Sequence, residues 1–185
     1  MNNFDDLGLS PEILKAVKEL GYEKPSAIQA ETLPILLGPS TDFIGLAATG
    51  TGKTAAFGIP MLEKIDASKK VVQGLVMCPT RELAMQVCGQ INLLGKFKGI
   101  RAIPVYGGAS LMEQARGLRN GAQIVVGTPG RLIDHLERTT LKLNDVKVIV
   151  LDEADEMISM GFKEYLETIL GASPRETCQN WMFSA

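Results

Sequence analysis

Short apolar runs alternate with amphipathic stretches along most of this chain. The runs Phe43–Leu46, Gly74–Cys78, Arg101–Val105, Gln123–Val126, Val146–Leu151 and Asn180–Phe183 have the length and boundaries of strands. Val146–Leu151 is almost wholly apolar and β-branched, the pattern of a parallel strand covered on both faces. Helical periodicity fills the intervals: Thr54 to Ile65, then stretches near 81–94, 109–119, 130–137 and 162–170. Two more helices lead the chain. Ser10-Pro11-Glu12 supplies a hydroxyl cap, a first-turn proline and an early acid; Ile13, Leu14, Val17 and Leu20 form the apolar stripe and Gly21 stops it. Ser26 caps a second helix running towards Leu37, which Pro34 is expected to kink. The alternation predicts one α/β domain over residues 1–185, a mostly parallel sheet with helices on both faces. Repeats, low-complexity stretches and linkers are absent from the sequence.

The loops that follow the strands carry the chemistry, as expected of such a sheet, whose carboxyl edge binds ligands. Ala47-Ala48-Thr49-Gly50-Thr51-Gly52-Lys53-Thr54 joins a strand to a helix. Its glycines let successive backbone N–H groups point into one nest, and the helix N-terminus adds partial positive charge. Lys53 is placed to reach β- and γ-phosphates and the Thr54 hydroxyl to ligate Mg²⁺. The usual pattern opens with glycine where this chain has Ala47. The strand Val146–Leu151 runs into Asp152-Glu153-Ala154-Asp155. Asp152 stands where a nucleoside triphosphatase needs a Mg²⁺ partner, and Glu153 where a base would take a proton from an attacking water. Together the two motifs point to nucleoside triphosphate hydrolysis.

Composition changes this picture little. With 185 residues and 45% hydrophobic content the chain can bury a sizeable core. It has no apolar run of transmembrane length and no secretory signal pattern, so no membrane role is expected. Cys78, Cys88 and Cys178 lack metal-ligand or redox spacing and read as buried free thiols of a reducing, cytoplasmic setting. Net charge is −2, yet residues 69 to 131 carry +7 and the remainder −9. That asymmetry predicts a basic face beside an acidic one. His135, the sole histidine, reads as a surface residue beside Asp134. Met77, Met85, Met157 and Met160 read as core filler.

Taken in order, the loops resemble the first RecA-like domain of DEAD-box RNA helicases, and the resemblance covers nearly the whole chain. Phe4 followed by Gly21-Tyr22-Glu23-Lys24-Pro25-Ser26-Ala27-Ile28-Gln29 is similar to the family's upstream aromatic and glutamine motif. Ala47–Thr54 resembles motif I, Pro79-Thr80-Arg81-Glu82-Leu83-Ala84 motif Ia, and Gly107-Gly108 the paired-glycine motif. Thr128-Pro129-Gly130-Arg131 resembles motif Ib and Asp152–Asp155 motif II. The wording of Gly21–Leu37 and Lys53–Pro60 resembles bacterial members.

The resemblance implies a RecA-like P-loop fold, ATP with Mg²⁺ as cofactors, and RNA, single-stranded or duplex, as partner. ATP would be held by Phe4, Tyr22, Lys24, Ser26, Gln29, Thr49, Gly50, Thr51, Gly52, Lys53 and Thr54. Mg²⁺ would be held by Thr54 and Asp152, partly through water. Lys53, Asp152 and Glu153 would serve hydrolysis. Pro79, Thr80, Arg81, Gly107, Gly108, Thr128, Pro129, Gly130 and Arg131 would hold the RNA backbone, contacts that position a strand without reading its sequence. Asp155 and Ser184 would couple motif II to motif III. Phe4 could lie against the base or serve as a hydrophobic anchor, and Arg131 could meet phosphate or pair with Asp134. Ala48 stands where the family often has Gln, and Ser26 replaces a commoner Thr. The chain ends at Ser184-Ala185, where the family continues into motif III and a second RecA-like domain bearing an arginine finger. A monomeric fragment with little activity of its own is therefore expected. Two rivals stand beside an RNA-remodelling ATPase: a DNA-directed translocase, and an RNA clamp or scaffold with slow turnover.

Overall fold

A computed structural model describes residues 3–39 and 41–185. Its strands are β1 (Phe43–Leu46), β2 (Gly74–Met77), β3 (Ala102–Val105), β4 (Ile124–Gly127), β5 (Val148–Asp152) and β6 (Gln179–Ser184). Every pairing is parallel, in the order β1-β6-β5-β2-β4-β3. The helices are α1 (Pro11–Glu19), α2 (Ala27–Leu36), α3 (Lys53–Lys64), α4 (Arg81–Gly95), α5 (Leu111–Arg119), α6 (Pro129–Glu137), α7 (Ala154–Ser159) and α8 (Lys163–Gly171). The sheet is wholly parallel where the sequence predicted a mostly parallel one, and the strand bounds shift by one or two residues.

The central strands are apolar throughout because both faces are covered, and pleating sorts alternate residues to opposite sides. Val76, Cys78, Ile124, Val126, Val148 and Val150 meet α1–α4 in one core, with Trp181 and Phe183. Leu75, Met77, Val125, Ile149 and Leu151 meet Leu132, Met157, Leu166 and Ile169 in the other. Full burial of each such large side chain is worth about 1.5–3 kcal/mol. Ser10 and Ser26 cap α1 and α2 as expected. Pro34 sits within α2, two residues before its end at Leu36.

Some expectations fail. α7 was not anticipated: it is six residues long and follows Glu153, whose backbone is left-handed at φ 54°. Met77 and Met157 are buried, but Met85 and Met160 are exposed, at 42% and 48%. His135 is not a surface residue. It lies three positions after buried Leu132 on the inward face of α6 and is fully buried. Its Nδ1 is 2.7 Å from Thr140 Oγ1 and its Nε2 3.1 Å from Gln114 Oε1.

Burial and then the nearby Arg131 charge lower the His135 pKa, against Asp134, which raises it, and Arg138, which lowers it further. A base whose folded pKa lies below its unfolded value of about 6.5 takes up protons on unfolding. The contribution of His135 to stability is therefore expected to be complete above about pH 6.5 and to be lost as the pH drops below it. Urea unfolding midpoints from pH 8 to 5 check this, and His135→Gln should flatten that part of the profile. An unchanged slope in the variant would exclude His135 as its source.

Candidate nucleotide and nucleic-acid site

Because all six strands among the described residues run one way, the loops after them meet on one edge of the sheet. The loop after β1 turns on Gly50 and Gly52, both left-handed at φ 77° and 95°. Thr51 Oγ1 donates to Ala48 O at 2.6 Å, closing the turn, and Gly52 leads into α3. A Cβ on Gly52 would lie 2.5 Å from Gln29 Nε2 and 3.0 Å from Ser26 Oγ. Glycine is thus required there twice, by conformation and by space.

Lys53 is the first residue of α3 and Asp152 the last of β5. Lys53 Nζ lies 3.6 Å from Asp152 Oδ1, with both side chains nearly buried. Neither of these atoms has a hydrogen-bond partner among the described residues. Buried charged atoms left without a hydrogen bond are costly unless a ligand completes them. Burial raises the Asp152 pKa, with the Lys53 charge opposing it. Burial also pushes Glu153 up to about 7, reinforced by Glu156 and then Asp152. The pair and Glu153 line a cavity of about 410 Å³ with Thr49, Gly50, Gly52 and Thr54. This donor set suits a phosphate with a hard cation: Lys53 and the helix N-terminus offer positive charge, and Thr54 and Asp152 offer oxygens to Mg²⁺, which keeps several waters.

A second cavity of about 590 Å³ adjoins the first through Gly50 and Gly52, with Tyr22, Lys24, Ser26, Gln29 and Thr51 in its walls. Gln29 closes a capping box: its Oε1 accepts from Ser26 N at 3.0 Å, and Ser26 Oγ accepts from Gln29 N. Its Nε2 donates to Gly52 O at 3.1 Å. One amide hydrogen and one oxygen lone pair remain for a ligand. Phe4 is 2% exposed and belongs to the core, stacked on Tyr22 with ring centroids 6.5 Å apart. It reaches this cavity only through Tyr22. Leu83 of the motif Ia stretch, with Gln86 and Gln90, which lie outside every motif named above, completes the first cavity from α4. Their i, i+3, i+7 spacing on one face was the available signal, and Gln90 Nε2 also donates to the Tyr22 hydroxyl at 2.7 Å.

Further loops share the edge. Thr80 caps α4, its Oγ1 accepting from Leu83 N at 3.2 Å. Arg81 is exposed beside Glu82, 3.2 Å away, and near Gly108, where a Cβ would sit 3.7 Å from Arg81 Nη1. Gly107 is exposed with Gly108, whereas Pro79 and Pro129 are buried and shape their turns. Thr128 and Gly130 are partly exposed. Arg131 is largely buried, its Nε 3.6 Å from Asp134. Ser184 bridges two motifs: its carbonyl accepts from Ala47 N at 2.9 Å and its Oγ from Asp155 N at 3.3 Å. No helix of the described residues is long and apolar enough to cross a membrane.

Comparison with known proteins follows the same outline. Residues 26–185 match the profile of the DEAD/DEAH box helicase family. The chain is 51% identical over 185 residues to DEAD-box ATP-dependent RNA helicase CshA of Bacillus cereus, covering all of this chain and 35% of that protein. It is 55% identical over 183 residues to ATP-dependent RNA helicase DeaD of Mycobacterium tuberculosis, covering 98% of this chain and 32% of that protein. A DEAD box protein from Methanococcus jannaschii superposes with a TM-score of 0.95 at 42% identity, over 100% of this chain and 50% of that one. Dbp5 of S. cerevisiae, bound to RNA and ADP BeF3, superposes at 0.89 with 34% identity, over 100% and 46%. The chain spans about a third of the length of these curated relatives.

Proposed function

The chain belongs to the DEAD/DEAH box helicase family, and from that premise we propose that it is the ATP- and RNA-engaging domain of an RNA-dependent ATPase that remodels or locally unwinds RNA duplexes. The observation that carries this reading is the buried Lys53–Asp152 pair beside a glycine turn, with Lys53 Nζ 3.6 Å from Asp152 Oδ1 and neither of these two atoms hydrogen-bonded among the described residues. Lys53 would hold the β- and γ-phosphates. Thr54 and Asp152 would hold Mg²⁺, which when bound neutralises charge developing on the phosphate oxygens. Glu153 would take the proton of the attacking water, and the Glu153 pKa near 7 suits a base. Ser184, bonded to both the phosphate loop and the start of α7, would pass the nucleotide state along the edge.

RNA would lie across the loops at Thr80–Arg81, Gly107–Gly108 and Thr128–Arg131. Charge, hydroxyls and open glycine backbone there suit a sugar–phosphate chain, not base edges. A second RecA-like domain, for which the relatives' length leaves room, would close over both ligands. The relatives' names favour RNA over DNA as the nucleic acid.

Nucleotide identity provides the test. The remaining amide hydrogen and lone pair of Gln29 complement the adenine edge and mismatch that of guanine. Calorimetry on residues 1–185 is expected to show ADP binding more tightly than GDP. Leaving those groups unpaired costs about 1–3 kcal/mol. Gln29→Ala should narrow the gap, whereas equal affinities in the unaltered chain would remove the adenine-reading role.

A further inference from the structure

A buried polar cluster outside the nucleotide groove joins two of these loops. Gln114, 8% exposed on α5, donates from Nε2 to Tyr106 O at 3.0 Å. That bond fixes which end of its amide faces inward. Gln114 Oε1 then accepts from Arg131 Nη1 at 3.0 Å and faces His135 Nε2 at 3.1 Å. Since an amide oxygen cannot donate, the proton of this contact sits on His135 Nε2. The far side of the ring is held by Thr140, whose Oγ1 is 2.7 Å from Nδ1. Arg131 Nη1 gives its other hydrogen to Ala109 O at 2.9 Å, and Nε faces Asp134 Oδ2 at 3.6 Å. Both Nη1 hydrogens are thus consumed, while Nη2 makes no hydrogen bond among the described residues.

We propose that Gln114 and His135 are positioning residues for Arg131: they lock its guanidinium so that the Nη2 side alone is presented to an RNA phosphate. The phosphate part of this inference rests on the RNA-binding reading above. Through the same bonds, the loop carrying Gly107 and Gly108 is tied to the loop Thr128–Arg131, because Tyr106 and Ala109 flank the glycines. A long cationic side chain ordinarily loses rotamer freedom when it meets a phosphate. Here that ordering is done before RNA arrives, and the lattice of bonds is what does it. His135 acts at one remove: it supplies the second donor that keeps Gln114 Oε1 aimed at Arg131.

Nitrogen-15 NMR of the arginine side chains in residues 1–185 tests the clamp directly. A locked guanidinium rotates slowly about Nε–Cζ, so the two Nη signals of Arg131 should be resolved. They should merge in Gln114→Leu and in His135→Phe, and stay resolved in His135→Gln, whose amide N–H can replace the imidazole Nε2–H. ADP affinity should be unchanged in all three, because the cluster does not touch the nucleotide groove. In a full-length protein carrying this domain, Gln114→Leu and His135→Phe should weaken oligouridylate binding by about 2- to 10-fold, the worth of one hydrogen bond, with His135→Gln near the parent. Unmerged Nη signals in Gln114→Leu would overturn the clamp. So would equal RNA loss in His135→Gln and His135→Phe, which would mark the ring as packing alone. Should Arg131→Ala bind RNA as the parent does while Gln114→Leu merges the Nη signals, the RNA reading of Arg131 fails and the phosphate half of the proposal with it. If His135→Phe does not fold, Gln114→Leu against His135→Gln carries the same comparison.

Discussion

Residues 1–185 expressed alone are expected to fold and bind adenine nucleotide, yet to hydrolyse ATP about 10³- to 10⁵-fold more slowly than a two-domain protein with RNA. That range is what an arginine finger contributes to phosphoryl transfer. Among the described residues, Lys53 is the one cation lining the cavity beside the glycine turn, against Asp152 and Glu153. A triphosphate losing its γ-phosphoryl group needs more positive charge than Lys53, Mg²⁺ and a helix N-terminus supply. Arg175 follows motif II in sequence but lies with Thr41, Asp42 and Thr177 at the amino ends of β1 and β6. That is the opposite edge of the sheet from the phosphate loop. Closure of two domains is also what would convert nucleotide binding into force on RNA, and one domain has nothing to close against. A steady-state ATPase assay with saturating RNA decides the matter. Turnover by the 185-residue chain matching that of a two-domain protein would show that this edge is complete in itself.

Glu153→Gln in a two-domain protein carrying this domain is expected to keep ATP binding and lower hydrolysis by about 10²- to 10⁴-fold, the usual contribution of a positioned base. Glutamine preserves shape and can still hold a water, but it cannot take a proton. Lys53, Thr54 and Asp152 are untouched, so a mixture of ATP and RNA should accumulate on the variant as a trapped complex. Single-turnover hydrolysis and filter binding measure the two halves separately. Hydrolysis within about tenfold of the parent would assign the base to another group. Glu153 also has a left-handed backbone, φ 54°, which favours glycine. A non-glycine residue held in that conformation after β5 carries strain at the position proposed for the base.

The sequence made the central strands β2, β4 and β5 legible because burial on both faces leaves continuous apolar runs there. It made the phosphate and acidic motifs legible because each packs its chemistry into consecutive residues. What it hid was assembled from distant positions or lacked a period. The α4 face at Leu83, Gln86 and Gln90 lines the phosphate cavity, but its spacing is also that of an ordinary amphipathic helix. Gln114 and His135 meet across 21 residues, and a buried hydrogen-bonded polar pair has no hydrophobic signature. Phe4 illustrates the reverse: a lone aromatic could be read as a base stacker or an anchor, and the fold buries it beneath Tyr22. α7 escaped because six residues after a left-handed glutamate give no helical repeat to detect.

The carbonyl of Gly52 is shared property. It belongs to the turn that would cradle phosphate, and it is also the acceptor that holds the Gln29 amide in place. On the proposed reading, recognition of the base and of the phosphate chain would therefore work as a conjunction, two conditions met through one atom. A phosphate tail without its base, such as tripolyphosphate, would meet a loop still tethered to Gln29. A base without its phosphates would find that amide held by an unfilled loop. Only a molecule that satisfies both ends at once would then draw the full response, so discrimination between nucleotides should appear as a change in phosphate affinity, far from the atoms that differ.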